Sequence, residues 1–127
     1  FLKIGETDIE ITGCWANMNP LDAAHGMHNH PNNFLSGVYY LQTNEGADTI
    51  NFHDPRSQTE IIKPPVTELT AENTDQVVVK VGNGTILIFP SWLVHSVDVN
   101  RSDETRISIG FNVMFPAYTE KMSKPLW

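Results

Sequence analysis

Thr105-Arg106-Ile107-Ser108-Ile109-Gly110-Phe111-Asn112-Val113-Met114-Phe115 is the stretch that decides the fold class. Side chains of an extended strand point alternately to opposite faces. One face of this run therefore carries Arg106, Ser108, Gly110 and Asn112, and the other Ile107, Ile109, Phe111, Val113 and Phe115. A simple sheet would put the polar set in water. A jelly roll that encloses a polar ligand turns that set inward and leaves the apolar face to be covered by residues outside this sequence or by a second subunit. A homodimer is thus one expectation.

Outward from this strand, short β-rich runs recur along the chain: Asp8 to Cys14, Phe34 to Gln42, Thr49 to His53, Gln76 to Val81, Thr85 to Pro90 and His95 to Val99. Asn44-Glu45-Gly46, Gly82-Asn83-Gly84 and Asn100-Arg101-Ser102-Asp103 separate them, in residues that tolerate positive φ or bond their own backbone. Thr67 to Asp75, following Pro64-Pro65, reads as a loop. Many short strands with Gly and Pro punctuation make an all-β sandwich, barrel or jelly roll, among which periodicity alone does not choose.

At 127 residues the chain is expected to form one domain over residues 1–127, and its start at Phe1 is that of a trimmed piece. Eight Lys and Arg against fifteen Asp and Glu give a formal net charge of -7. The cations are scattered, which argues against a nucleic-acid partner, whose phosphates need clustered cations. No apolar run approaches the roughly 18 residues of a membrane span, and no basic-then-apolar leader opens the chain. The single cysteine, Cys14, excludes an internal disulfide and fits a reducing, cytoplasmic compartment. Its place before Trp15 in an apolar stretch reads as core packing.

The chemistry-bearing residues are His28-Asn29-His30, then His95, then Arg106 eleven positions later. Two imidazoles one residue apart on an extended segment can face the same way, and a third from a distant strand completes one face of a coordination sphere. A guanidinium presents paired donors that match a carboxylate and keeps its charge in a partly dry interior. Ser108 shares Arg106's strand face. Tyr40, on the strand that follows the histidine pair, is placed to bond the same carboxylate, whereas Tyr39 faces the other way.

From His28 to Phe115 the sequence resembles the Fe(II)- and 2-oxoglutarate-dependent dioxygenases. The stretches HNHPNNFLSGVYYL, INFHDPR, FPSWLVHSV and RISIGFN are similar to a group of oxygenases of undetermined substrate. The resemblance implies a double-stranded β-helix, cupin-like in outline, with Fe(II) as cofactor and 2-oxoglutarate and dioxygen as cosubstrates. It matches His28 to the first iron ligand, His95 to the last, and Arg106-Ile107-Ser108 to the hook for the distal carboxylate. At the second ligand the family has a carboxylate and this chain has His30. We expect His28, His30 and His95 to be the metal ligands, in preference to a set in which Asp54 supplies the missing carboxylate. A cupin-like three-His enzyme that does without 2-oxoglutarate and a non-catalytic ligand-binding jelly roll are the rival expectations.

Other polar and aromatic residues have plainer readings. His25 and His53 fit no ligand slot and read as loop or substrate-side residues. Arg56, after Asp54-Pro55, caps a turn. Trp92 is expected to be a packing anchor. Asn17 and Asn19, which precede the histidine pair within reach of the pocket, read better as turn residues beside Pro20.

Overall fold

Val38 and Tyr40 are apolar or amphipathic residues that alternate with exposed Tyr39 and Leu41, the period-two pattern of a strand with one face on a core. The computed structural model describes residues 8–56, 63–70 and 72–119, and the statements below concern these. Eight strands are seen among them: β1 (Glu10–Asn19), β2 (His25–His28), β3 (Leu35–Gln42), β4 (Thr49–His53), β5 (Gln76–Lys80), β6 (Ile86–Pro90), β7 (His95–Val97) and β8 (Arg106–Met114). A short helix, α1 (Pro116–Thr119), follows.

The strands form two antiparallel four-stranded sheets, ordered β1-β8-β3-β6 and β2-β7-β4-β5. Consecutive strands alternate between sheets for most of the chain, which is the winding of a double-stranded β-helix, and the fold is an all-β jelly roll. Tyr40, Ile50 and Val81 are the buried centre of the apolar core, with Val38, Phe52, Val79, Leu87 and Val97 packed around them. Both sheets contribute to this core, and Tyr40, Val38, Ile50 and Val97 of it also line the cavity described below.

The expected turns are present. Gly46 and Gly84 have φ of 88° and 83°, the left-handed region that glycine adopts without a Cβ penalty. The Asn83 side-chain carbonyl accepts from the Thr43 backbone N–H at 2.7 Å. Asn100 is buried, and its amide donates to the carbonyls of Asn19 and Glu104, both at 2.9 Å. The end of β1 is thereby tied to the loop before β8. Thr67 to Asp75 contains no helix among its described residues, and Asn73 closes it by accepting from the Thr70 N–H.

Four expectations are corrected. β1 runs on to Asn19, so Asn17 and Asn19 are strand residues and not turn residues. His25 lies in β2 and not in a loop, on the cavity side that the other half of its reading expected. Cys14 is exposed, because the alternation of β1 sends Trp15 inward and Cys14 outward. Trp92 is 58% exposed and anchors no core. The face of the first sheet opposite the cavity is apolar as anticipated, and much of it is exposed: Met18, Leu41, Ile86 and Ile88 are each about half to two-thirds accessible. Phe111 on that face lies across Gly37, where a Cβ would stand 2.1 Å from the ring.

Candidate metal centre

β2 ends at His28 and β7 begins at His95, and the two residues are Cα partners in the antiparallel pair. Pairing alone therefore brings together histidines 67 positions apart in sequence. His30 follows two residues on, where its backbone N–H donates to the Ser91 carbonyl at 2.9 Å and fixes the turn out of β2. One ligand-capable nitrogen from each of His28, His30 and His95 lies within 4.8 Å of the others, close enough for small ring rotations to gather them on one ion.

Backbone carbonyls orient two of the rings. His28 Nδ1 lies 2.8 Å from the Gly26 carbonyl and His95 Nδ1 lies 3.0 Å from that of Leu93. An Nδ1–H donated to a carbonyl leaves the Nε2 lone pair free for a metal. His95 is buried between Phe89, at 4.8 Å between ring centroids, and Phe52, at 6.3 Å. Burial, reinforced by the neighbouring histidines, pulls its pKa down to about 4, although the Leu93 carbonyl opposes the shift. Burial, with His28 beside it, lowers that of His30 as well.

The histidines open onto a cavity of about 550 Å³ that is also lined by Tyr40, Arg106 and Ser108. All three are buried. The Arg106 guanidinium carbon lies 5.1 Å from the centroid of the Tyr40 ring. The Arg106 Nε and the Tyr40 hydroxyl are buried and have no hydrogen-bond partner. Unpaired donors out of water are costly, and their usual explanation is a ligand or a water. Burial raises the Tyr40 pKa against the opposing pull of the Arg106 guanidinium beside it, so its hydroxyl keeps the proton it would donate. Tyr39, by contrast, is exposed.

Asp54 is not among the convergent ligand atoms. Its carboxylate accepts from the Arg56 backbone N–H at 2.8 Å and from the Arg56 side chain, which holds its pKa down to about 2. Arg56 thus closes the turn as expected. His53 bonds Ser96 at 2.8 Å, and both Asp54 and His53 line a second, smaller cavity. Sequence reasoning passed over Trp15 as a cavity residue and preferred turn positions for Asn17 and Asn19, whereas His25 lines the cavity as its substrate-side reading expected. The signal was the period-two set Gly13, Trp15, Asn17, Asn19, which continues the strand up to Pro20. Asn19 is the Cα partner of Arg106, and its amide lies 3.2 Å from His25 Nε2.

Residues 13–112 match the protein family described as "Putative 2OG-Fe(II) oxygenase". The chain belongs to this oxygenase family. No curated protein matches the sequence. Among solved structures, a 2OG-Fe(II) oxygenase family oxidoreductase from Burkholderia pseudomallei is similar, with a TM-score of 0.65 and 19% identity over 84% of this chain and 45% of that one. A Pseudomonas putida prolyl-4-hydroxylase gives 0.59 and 18% over 90% and 55%. Iron-bound HygX from Streptomyces hygroscopicus gives 0.60 and 10% over 85% and 59%. At these identities the likeness is one of fold. The oxygenase chain spans about half the length of these structures.

Proposed function

We propose that this chain is an Fe(II)- and 2-oxoglutarate-dependent dioxygenase that hydroxylates a peptide side chain or a small metabolite. The observation that carries the reading is the joint presence, in one cavity, of three convergent imidazoles and a buried guanidinium with an unpaired N–H. A three-His metal enzyme acting without 2-oxoglutarate has no use for that guanidinium. His28, His30 and His95 would hold iron on one face, and the ion, when bound, supplies the activation of dioxygen.

Arg106 grips the distal carboxylate of 2-oxoglutarate, and Tyr40 and Ser108 donate to it. Tyr40 also covers one side of the guanidinium with its ring, so the fork is held in place before the cosubstrate arrives. Phe52 and Phe89 keep water from the inner side of His95. The balance is one substrate C–H, one dioxygen and one 2-oxoglutarate to one alcohol, one succinate and one carbon dioxide. The exposed, unpaired Cys14 thiol supports a reducing, cytoplasmic setting.

The test is anaerobic loading with Fe(II) and 2-oxoglutarate followed by air, with succinate measured. Slow succinate formation that depends on protein, iron and oxygen is expected even without substrate. No succinate above the protein-free control would reject the assignment.

The second ligand has its own experiment. Asp54→Ala is expected to keep one iron per chain, because that carboxylate is committed to Arg56. Iron lost in Asp54→Ala but kept in His30→Ala would exchange the two roles.

Metal binding requires neutral imidazoles. His30 and His95 protonate below the ordinary value of 6.5, so they compete with the metal less on acidification than exposed histidines would. Between pH 6.5 and 5, the affinity for Co(II) or Zn(II) is expected to fall with a slope well short of three protons, as measured by competition titration. A slope of three would contradict the burial of His95 and the partial burial of His30. The metal-free fold responds with the same sign. From pH 6.5 towards 4 the unfolded chain takes up a proton that buried His95 refuses, so stability declines across that window.

A further inference from the structure

β1 turns Trp15, Asn17 and Asn19 towards the cavity, and the metal and cosubstrate assignments use none of them. Trp15 is the Cα partner of Gly110 on β8. Its indole rests on that glycine, where a Cβ would stand 2.6 to 2.8 Å from three indole atoms. The missing side chain at Gly110 is thus what lets the ring lie down against the sheet. Its centroid is 5.6 Å from that of His30, which puts it beside the metal centre. Trp15 remains partly exposed and lines the cavity, so an indole surface stays uncovered beside His30.

The surroundings define what that surface accepts. Arg106 is the one permanently charged side chain among the described residues of the cavity wall, and it lies on β8 four residues from Gly110. Among the described residues no carboxylate lines the cavity to favour a cation over the indole. Asn17 stands between Trp15 and Asn19 on the same face and opposite Ser108, with an amide that both donates and accepts. A flat apolar wall beside an amide fits an uncharged ring carried next to a peptide group.

We propose that Trp15, seated on Gly110, and Asn17 form a primary-substrate subsite for an uncharged cyclic side chain, prolyl or aromatic, flanked by an amide. The proposal rests on the oxygenase reading of the cavity and names the substrate class for it. The alternative is that Trp15 only buttresses His30.

The experiment uses protein loaded with Zn(II) and 2-oxoglutarate, in which no turnover occurs, after the binding of each has been measured separately. Absence of 2-oxoglutarate binding at that stage counts against the oxygenase reading and not against the subsite, since probes can still be titrated into the zinc protein. The probes are N-acetylprolinamide, N-acetylphenylalaninamide and N-acetylalaninamide, followed by NMR titration. At least one cyclic probe is expected to bind about fivefold or more tightly than the alanine compound, and Trp15→Leu and Gly110→Ala to remove that preference. Nuclear Overhauser contacts between the probe ring and the Trp15 indole in the unsubstituted protein give a readout that does not depend on how the variants fold. Equal binding of the three probes, a preference that survives Trp15→Leu, or a bound ring without contact to the indole would overturn the proposal.

Discussion

His95→Ala is expected to weaken Fe(II) binding by at least about 100-fold and to reduce succinate formation to background. His95 is the deepest member of the trio, 5% exposed and packed between two phenylalanines, with its ring turned by the Leu93 carbonyl. Among the described residues no carboxylate joins the convergent set, and that of Asp54 is engaged by Arg56. His25 is held by Asn19, with its ring 6.3 Å from that of His28. Circular dichroism of the metal-free variant separates loss of a ligand from loss of the fold. A folded variant that binds iron as the parent does would remove His95 from the metal set.

Arg106→Ala should raise the KM for 2-oxoglutarate by about two orders of magnitude, the cost of deleting one partner of a buried charge-assisted contact. Arg106 is 3% exposed, its Nε is unpaired, and the Tyr40 ring lies beside it. Arg106→Lys should recover only part of the loss, because an ammonium keeps the charge but not the planar pair of donors. A KM unchanged in Arg106→Ala, measured by steady-state succinate formation, would reject the assigned role. A fall in kcat alone would point to a structural effect on the metal side instead.

Much of this arrangement is legible in the residues. The alternation of Arg106, Ser108, Gly110 and Asn112 against the isoleucines and phenylalanines decided both the β class and the inward polar face, and Arg106, Ser108, Gly110 and Asn112 are all buried. Tyr40 was separable from Tyr39 by parity alone. What escaped is instructive about where local rules yield. Asn17 and Asn19 carry turn propensity, but pairing with β8 and an inward position beside Arg106 outweigh it. β2 is four residues long and carries two histidines and a glycine, so no hydrophobic alternation marks it, and its pairing with β7 makes it a strand. Trp92 and Cys14 were assigned to the core from residue type, which says nothing about the face on which a side chain falls. Convergence of the three histidines is a tertiary fact that spacing suggests and only the register of β2 on β7 delivers.

The division of the site between the two sheets has a mechanical consequence. His28 and His95 belong to neighbouring strands of one layer, so an ion captured there rivets that layer to itself. Arg106 stands on the facing layer. On the proposed assignment, a dicarboxylic acid reaching from the ion to the guanidinium would be a crossbeam, and it would set the gap between the layers against which any third molecule must fit.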